Sequence, residues 1–217
     1  MATKTINDKT AGPPREEVLR ERAKKLGLFG LLSQWKEFAD DPLIERVLDL
    51  EEGERQRRSL ERRLRAAKVK RFKPIADFDW KWPTKIDRDE VDDLFSLDFL
   101  ADNANVVFVG PNGVGKTMIA LNIAHLAVMR GHTVLTVGAS DLVKDLDSQE
   151  SSRGLQRRLR HYLRPQLLLI DELGYLSGTA RQADLLFEVV SRRYQEKSTV
   201  VTTNKPFSEW NTIFPNA

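Results

Sequence analysis

Eight consecutive residues have the types and the spacing that bind a phosphate group. Residues 110–117 read GPNGVGKT and fit the pattern GxxxxGK(S/T), in which glycines let backbone N–H groups surround an anion. A helix predicted to begin near Lys116 adds the positive end of its dipole at the same point. This P-loop pattern predicts that phosphate is bound by Gly110, Pro111, Asn112, Gly113, Val114, Gly115, Lys116 and Thr117.

The last two of these residues predict a nucleoside triphosphate with a metal ion. The ammonium of Lys116 is expected to reach the β- and γ-phosphates, and the hydroxyl of Thr117 to bind the Mg²⁺ that bridges them. A glycine-rich turn without a ligand can show the same short pattern. The strand and the helix predicted on either side favour the nucleotide site.

An acidic pair follows a continuous apolar run, LLLI at residues 167–170. Asp171 is expected to hold Mg²⁺ through water, and Glu172 to orient or deprotonate the water that attacks the γ-phosphate. The pair therefore predicts hydrolysis, although an acidic residue after a strand also serves as a helix N-cap.

A side-chain amide ends the next predicted strand. Asn204 follows residues 198–203, STVVTT, and is expected to hydrogen-bond the attacking water or the γ-phosphate and so to sense the nucleotide. Asparagine is also a common turn former, which is the alternative interpretation.

The elements that must position these residues alternate between strand and helix. Strands are predicted at 105–109, 133–137, 166–171 and 198–203, and helices near 116–130, 139–147, 154–164 and 179–195. The runs VVFV and LLLI are typical of strands buried on both faces of a parallel sheet. This pattern predicts a doubly wound α/β domain.

Four segments are predicted along the chain. They are a disordered tail at 1–14, a small helical domain at 15–73, a linker at 74–104 and the α/β core at 105–217. A strongly basic helix near residues 54–70 closes the helical domain. Its candidate DNA-binding residues are Arg55, Arg57, Arg58, Arg62, Arg63, Arg65, Lys68 and Lys70. A solvated face partly neutralised by the acidic residues 49–54 is the alternative.

Composition excludes several other classes of protein. The 217 residues contain no cysteine and only three scattered histidines, which excludes disulfides and leaves no spacing typical of a zinc site. We therefore expect Mg²⁺ to be the only metal. No apolar run is long enough for a membrane span, and the first residues lack a signal-peptide pattern, so we expect a cytoplasmic protein with no membrane partner.

The three motifs together resemble a known family. Residues 110–117, the pair Asp171–Glu172 and Asn204 resemble Walker A, Walker B and sensor 1 of the AAA+ ATPases. Residues 157–176 with the core LLIDELGYL, SRRY at 191–194 and STVVTTNKPFSEW at 198–210 are similar to IstB-type ATPases, which assist the transposases of insertion sequences. That family is related to DnaC-type helicase loaders.

The resemblance implies a three-layer AAA+ core with a parallel sheet, preceded by a small all-α domain. It implies an ATP-dependent homo-oligomer around double-stranded DNA that presents a target site to the transposase of the same element. It also implies that DNA faces the arginines of a second basic cluster: Arg153, Arg157, Arg158, Arg160 and Arg164. A solvated helix face explains this cluster equally well.

An AAA+ core usually adds a fifth strand and a helical lid, which supply an arginine finger and a second sensor. Only residues 205–217 follow Asn204, so we expect this strand and lid to be missing. ATP binding is then expected to be kept or weakened and hydrolysis to be weak, since an arginine finger contributes on the order of 10³-fold in rate. Arg192 and Arg193 precede the strand that ends before Asn204 and so do not match the finger's position, but Arg192 or Arg193 can still face a neighbouring subunit.

Other functions share part of this pattern. A helicase loader would have every motif named above. A DNA-binding protein could use ATP as a structural ligand only. A nucleotide kinase fits poorly, because no arginine-rich substrate segment with a closing lid follows the P-loop helix and because Glu172 favours water as the nucleophile.

Overall fold

The computed structural model describes residues 14–83, 85–175 and 179–214. The chain divides into two compact units, Met1–Ser59 and Leu60–Ala217, which we call the N-terminal unit and the C-terminal unit. The tail predicted at residues 1–14 lies outside the described residues, apart from Pro14. None of the described helices is long and apolar enough to cross a membrane.

The N-terminal unit is helical, as the apolar spacing predicts. Helices α1 (Arg15–Lys25), α2 (Phe29–Ser33) and α3 (Trp35–Phe38) are followed by the long helix α4 (Leu43–Ala67), whose residues fall in both units. The core of the unit is small and consists of Leu19, Ala23, Leu26, Trp35, Ile44 and Leu48.

The C-terminal unit contains a parallel sheet of four described strands. They are β1 (Val106–Val109), β2 (Val134–Gly138), β3 (Leu167–Asp171) and β4 (Ser198–Thr203), in the order β1-β4-β3-β2. All three neighbouring pairs are parallel. The predicted α/β fold with a parallel sheet is therefore confirmed. The first residue of each strand is within one position of the predicted first residue.

Helices connect the strands and cover both faces of the sheet. They are α5 (Arg88–Leu94), α6 (Lys116–Met129), α7 (Ala139–Asp147), α8 (Ser152–Leu163) and α9 (Ala180–Arg193). Short 3₁₀ helices occur at Ile75–Asp77, Asp98–Leu100, Leu173–Tyr175 and Phe207–Thr212. Side-chain caps begin three of these α-helices: Asp87 accepts from two N–H groups of α5, Ser151 accepts from an N–H of α8, and Thr179 forms a capping box with Gln182 in α9.

Strand β3 explains how the layers are held together. Its four leucine and isoleucine side chains alternate between the faces: Leu168 and Ile170 pack with α7, α8 and α9, whereas Leu167 and Leu169 pack with α6. All four are fully buried. A strand covered on both faces needs a continuous apolar run, and the result is three layers.

Residues 74–104, predicted as a linker, pack against the P-loop helix α6. Phe78, Val91 and Leu97 are buried in the same cluster as the apolar side chains of α6. The side chain of Asn122 in α6 accepts a hydrogen bond from the N–H of Ile75 at 3.0 Å. The segment is therefore part of the layer that covers the sheet on the side of α6. The predicted domain limits remain predictions.

Candidate nucleotide site

The P-loop pattern connects β1 to α6 at the carboxyl edge of the sheet. Gly113 and Gly115 have φ angles of 81° and 92°, in the left-handed region that favours glycine. Gly115 has a second constraint, because a Cβ there would lie 2.4 Å from a ring carbon of Phe78. The loop conformation therefore depends on these two glycines.

The ammonium of Lys116 lies against the loop that precedes it. Nζ donates hydrogen bonds to the carbonyl oxygens of Gly110 and Pro111, both at 2.7 Å. Burial lowers the pKa of Lys116 below its ordinary value, while the negative charges of Asp171 and Glu172 act in the opposite direction. The lysine therefore lies within the electrostatic field of the predicted acidic pair.

A hydrogen bond joins the P-loop to β3. The hydroxyl of Thr117 donates to Oδ1 of Asp171 at 2.8 Å. The two residues are 54 positions apart in sequence and meet because α6 begins where the neighbouring strands end. A hydroxyl and a carboxylate in contact are oxygen ligands of the kind that Mg²⁺ takes.

The backbone of Glu172 has a conformation that is unusual for a residue other than glycine. Its φ angle is 62°, in the left-handed region, and the residue is exposed. Non-glycine residues in this region store strain of order 1 to 3 kcal/mol and often occur at functional sites. This conformation follows the end of β3 directly, and Glu172 lines the cavity described below.

Asn204 is close to the turn that follows Glu172. Its Oδ1 atom is buried and has no hydrogen-bond partner among the described residues. A Cβ built on Gly174 would lie 1.8 Å from this oxygen, so the backbone of Gly174 packs directly on the amide. A buried carbonyl oxygen without a donor is costly, and the site has an acceptor to offer to a ligand or a water molecule.

These residues surround a cavity of about 320 Å³. Of the residues predicted from the sequence, it is lined by Asn112, Gly113, Gly115, Lys116, Thr117, Glu172 and Asn204. Gly110, Pro111, Val114 and Asp171 do not line it. Tyr175, Thr202 and Thr203 line it although they were not predicted. Thr202 lies two residues before Asn204, which is the spacing of side chains on one face of a strand. This spacing could have indicated from the sequence that Thr202 belongs to the site.

The donor set fits Mg²⁺ with a nucleotide. No group of three or more His, Cys, Asp or Glu side chains that could hold a metal alone occurs in the part of the chain that is described. Mg²⁺ is usually held by one or two carboxylates together with substrate phosphates. Thr117 and Asp171 would hold the ion, and the P-loop backbone with Lys116 would hold the phosphates.

The predicted DNA-binding residues of α4 differ in their surroundings. In the N-terminal unit, Arg55 pairs with Glu51 at 2.7 Å, and Arg57 and Arg58 pair with Glu54 at 2.9 and 2.6 Å. These two arginines lower the pKa of Glu54 to about 2. Acidic neighbours one helical turn away therefore neutralise much of the charge on this part of the helix.

The remaining predicted residues of α4 and the turn after it belong to the C-terminal unit. Arg62, Arg65, Lys68 and Lys70 are exposed there. Arg63 is half-buried and its Nε donates to the backbone carbonyl of Val128 at 3.3 Å. Arg63 is therefore less available to an external ligand.

The second basic cluster divides into two parts. Arg158 pairs with Asp145, whose carboxylate also accepts from the hydroxyl of Tyr162, so this arginine joins α8 to α7. The other four are exposed, at the spacing of one helix face, and have no ion-pair partner among the described residues: Arg153, Arg157, Arg160 and Arg164. We call these four the α8 arginine row.

Arg193 is buried within its own chain, so of the two arginines expected to be able to face a neighbouring subunit only Arg192 remains a candidate. The side chain of Arg193 is 1% exposed, because α9 turns it into the space between the end of α8 and the start of β4. It donates to Thr199 Oγ1 and to five backbone carbonyl oxygens, those of Tyr162, Leu163, Pro165, Gln166 and Ser198. Arg192 is exposed and pairs with Glu188 at 2.6 Å.

A family model described as IstB-like ATP binding protein matches residues 23–217. Similar curated proteins come from several bacteria. The ATP-binding protein named for insertion sequence IS5376 of Geobacillus stearothermophilus is 31% identical over 91% of this chain and 82% of its own length. The one named for IS21 of Pseudomonas aeruginosa is 35% identical over 77% of this chain and 63% of its own length.

Solved structures show the same fold at low sequence identity. AMPPCP-bound DnaA from Aquifex aeolicus is 19% identical, with a TM-score of 0.54 over 64% of this chain and 43% of that protein. DnaI is 20% identical, with a TM-score of 0.52 over 63% of this chain and 74% of that protein. These likenesses agree with the four-stranded parallel core described above.

Proposed function

Because the chain belongs to the family of IstB-like ATP binding proteins, we propose that it is an ATP-dependent DNA-binding ATPase that assists a transposase. In this proposal it forms a homo-oligomer on double-stranded DNA in the cytoplasm and helps the transposase of its own element to select and use a target site. The insertion-sequence names of its relatives support this context. The observation that carries the nucleotide part is the 2.8 Å contact of Thr117 with Asp171.

ATP binding is assigned to the P-loop. The N–H groups of residues 110–117 and the positive end of α6 would hold the phosphates, and Lys116 would leave its carbonyl partners to contact the β- and γ-phosphates. Thr117 and Asp171 would hold Mg²⁺. When bound, the ion neutralises charge that develops on the phosphates during transfer.

Hydrolysis is assigned to Glu172 and Asn204. The carboxylate of Glu172 lines the cavity and would accept a proton from the attacking water. Oδ1 of Asn204, which has no partner among the described residues, would accept a hydrogen bond from the same water. This bond would orient a lone pair of the water oxygen toward the γ-phosphate.

DNA binding is assigned to contacts between basic side chains and the phosphates of the DNA backbone. The α8 arginine row offers four exposed guanidinium groups with no internal carboxylate among the described residues. Arg62, Arg65, Lys68 and Lys70 offer a further set of exposed cationic side chains in the same unit. Arg55, Arg57 and Arg58 would first have to exchange their glutamate partners for phosphates, so their contribution is expected to be smaller.

The proposal is tested with Glu172→Gln, which keeps the size of the side chain and removes the base. ATP affinity is expected to stay within about threefold, turnover to fall on the order of 100-fold, and the lifetime of the complex on DNA to lengthen. Glu188→Gln is the matched control, since Glu188 lies on α9 and pairs with Arg192. Unchanged turnover and an unchanged DNA-bound lifetime would favour the alternative in which ATP is a structural ligand only.

The partner is tested separately. Purified transposase of the same element is expected to bind the ATP-loaded protein on DNA, measured by co-sedimentation. Binding to a replicative helicase instead would favour the alternative of a helicase loader, which would have the same sequence motifs.

A further inference from the structure

A buried hydroxyl lies between the two acidic residues of the nucleotide site. Thr202 is 1% exposed and belongs to β4, the strand next to β3. The paired register of β3 with β4 ends at Ile170 and Val201, so the next residues on each strand are no longer joined by the regular backbone ladder. The side chain of Thr202 makes the connection at this point.

Thr202 makes two hydrogen bonds with fixed directions. Its Oγ1 accepts from the backbone N–H of Glu172 at 2.9 Å and donates to Oδ1 of Asp171 at 2.6 Å. A hydroxyl has one proton, and the N–H of Glu172 can only donate. The hydroxyl proton of Thr202 is therefore directed to Asp171.

This arrangement constrains both acidic residues. Oδ1 of Asp171 accepts from Thr117 as well as from Thr202, so two hydroxyl protons are directed at the same oxygen. Within the described residues Oδ2 accepts no hydrogen bond, so this oxygen of the carboxylate can face a cation or its water. The bond to the N–H of Glu172 supports the residue whose φ angle of 62° is strained.

We propose that Thr202 is a positioning residue of the nucleotide site, which orients Asp171 toward a divalent cation and holds the backbone of Glu172 in its left-handed conformation. The inference rests on the proposed ATP–Mg²⁺ site and adds a residue to it. Thr202 acts through its neighbours and does not itself bind the metal.

The substitution Thr202→Val keeps the shape of the side chain and removes both hydrogen bonds. The affinity for a fluorescent ATP analogue is measured with Mg²⁺ and with EDTA, because the ratio reports on the cation. We expect the gain in affinity that Mg²⁺ gives to fall about tenfold, as for a hydrogen bond to a charged group, while affinity in EDTA stays within about twofold. Thr202→Ser keeps the hydroxyl and is expected to retain the gain.

Thr199→Val is the matched control on the same strand. Thr199 is 2% exposed, and its Oγ1 accepts from Nε of Arg193 at 3.0 Å, far along β4 from the acidic pair. It is expected to lower the melting temperature as Thr202→Val does and to keep the full gain from Mg²⁺. If Thr202→Val does not fold, Thr202→Ala, which leaves room for water, replaces it in the same comparison.

Two outcomes contradict different claims. If the unaltered protein gains affinity with Mg²⁺ and the valine and alanine variants gain equally, Thr202 has no positioning role although the nucleotide site is real. If the unaltered protein binds no nucleotide analogue at all, the proposed function fails and the role of Thr202 fails with it.

Discussion

Arg193 is a buried cation whose hydrogen bonds, in the described residues, all go to uncharged oxygen atoms, and replacing it should destabilise the C-terminal unit strongly. Its guanidinium accounts for contacts to the last turn of α8, to the loop before β3 and to the first residue of β4. We predict that Arg193→Met, which keeps an unbranched apolar stem, breaks this three-way connection.

The magnitude follows from two opposing effects. Four of the contacts are 3.0 Å or shorter, to Thr199 Oγ1 and to the carbonyls of Tyr162, Pro165 and Ser198. Leaving these four buried or partly buried acceptors without donors costs about 6 kcal/mol at roughly 1.5 kcal/mol each. Burial lowers the pKa of Arg193 well below its ordinary value, to about 10, so removing the buried charge returns about 3 kcal/mol. The expected net loss in the free energy of unfolding is about 3 kcal/mol.

Differential scanning calorimetry is the suitable assay, because it can separate the transitions of two compact units. A loss of this size corresponds to a fall in melting temperature of about 9 °C for a unit of this length. Arg192→Met is the control, since Arg192 is the neighbouring residue and its exposed pair with Glu188 is worth about 0.5 kcal/mol. If the two variants melt within about 2 °C of each other, the reasoning about the buried guanidinium is refuted.

Three further predictions concern the site, the DNA contacts and pH. Gly174→Ala must move the amide of Asn204 by more than 1 Å, because the new Cβ would lie 1.8 Å from Oδ1; single-turnover hydrolysis should fall on the order of 100-fold. Gly138→Ala, whose Cβ would make an ordinary 3.4 Å contact, should not change it, and equal rates for both variants would contradict the assigned role of Asn204. Replacing the α8 arginine row with alanine should reduce the salt slope of DNA binding by roughly 4, measured by fluorescence anisotropy, whereas an unchanged slope would mean a solvated face. Burial, helped by Arg158 and Lys68, lowers the pKa of His161 from 6.5, so the unfolded chain binds more protons below that pH and stability falls on acidification. His161→Gln should weaken that fall between about pH 7.5 and about pH 5.5 in urea unfolding, and an identical fall in both proteins would exclude His161 as a cause.

Strands and loop motifs could be predicted from the sequence because their signals are local. The LLLI run of β3 contains enough apolar side chains for both faces of the sheet, and both faces are covered. The glycines of the P-loop likewise report on backbone angles at their own positions. A pattern of this kind needs no knowledge of distant residues.

Contacts between distant segments were harder to predict. The burial of Arg193 depends on the meeting of α8, β4 and the loop before β3, and nothing near residue 193 indicates which carbonyls will be there. The packing of Phe78 on Gly115 also depends on the tertiary fold: an aromatic residue in a linker can indicate that it covers a neighbouring core, but not which glycine it contacts.

The ion pairs of Glu54 with the arginines that follow it have a local signal in the sequence. Glu54 precedes Arg57 and Arg58 by three and four residues, the spacing of neighbours on a helix, so their ion pairs could have been predicted. Thr202 is a similar case, because it lies at the end of β4, two residues before Asn204. The directions of the two hydrogen bonds that the Thr202 hydroxyl makes could be determined only from the structure.

ATP control of DNA binding is tested most directly by fluorescence anisotropy on a DNA duplex, with and without ATP–Mg²⁺ and across a salt series. For the unaltered protein we expect ATP–Mg²⁺ to tighten binding at least about fivefold, with a steep dependence on salt. Lys116→Ala should bind DNA with the affinity of the nucleotide-free protein whether or not ATP is present. Equal DNA affinity of the unaltered protein with and without ATP–Mg²⁺, or an undiminished gain in Lys116→Ala, would contradict nucleotide-controlled binding.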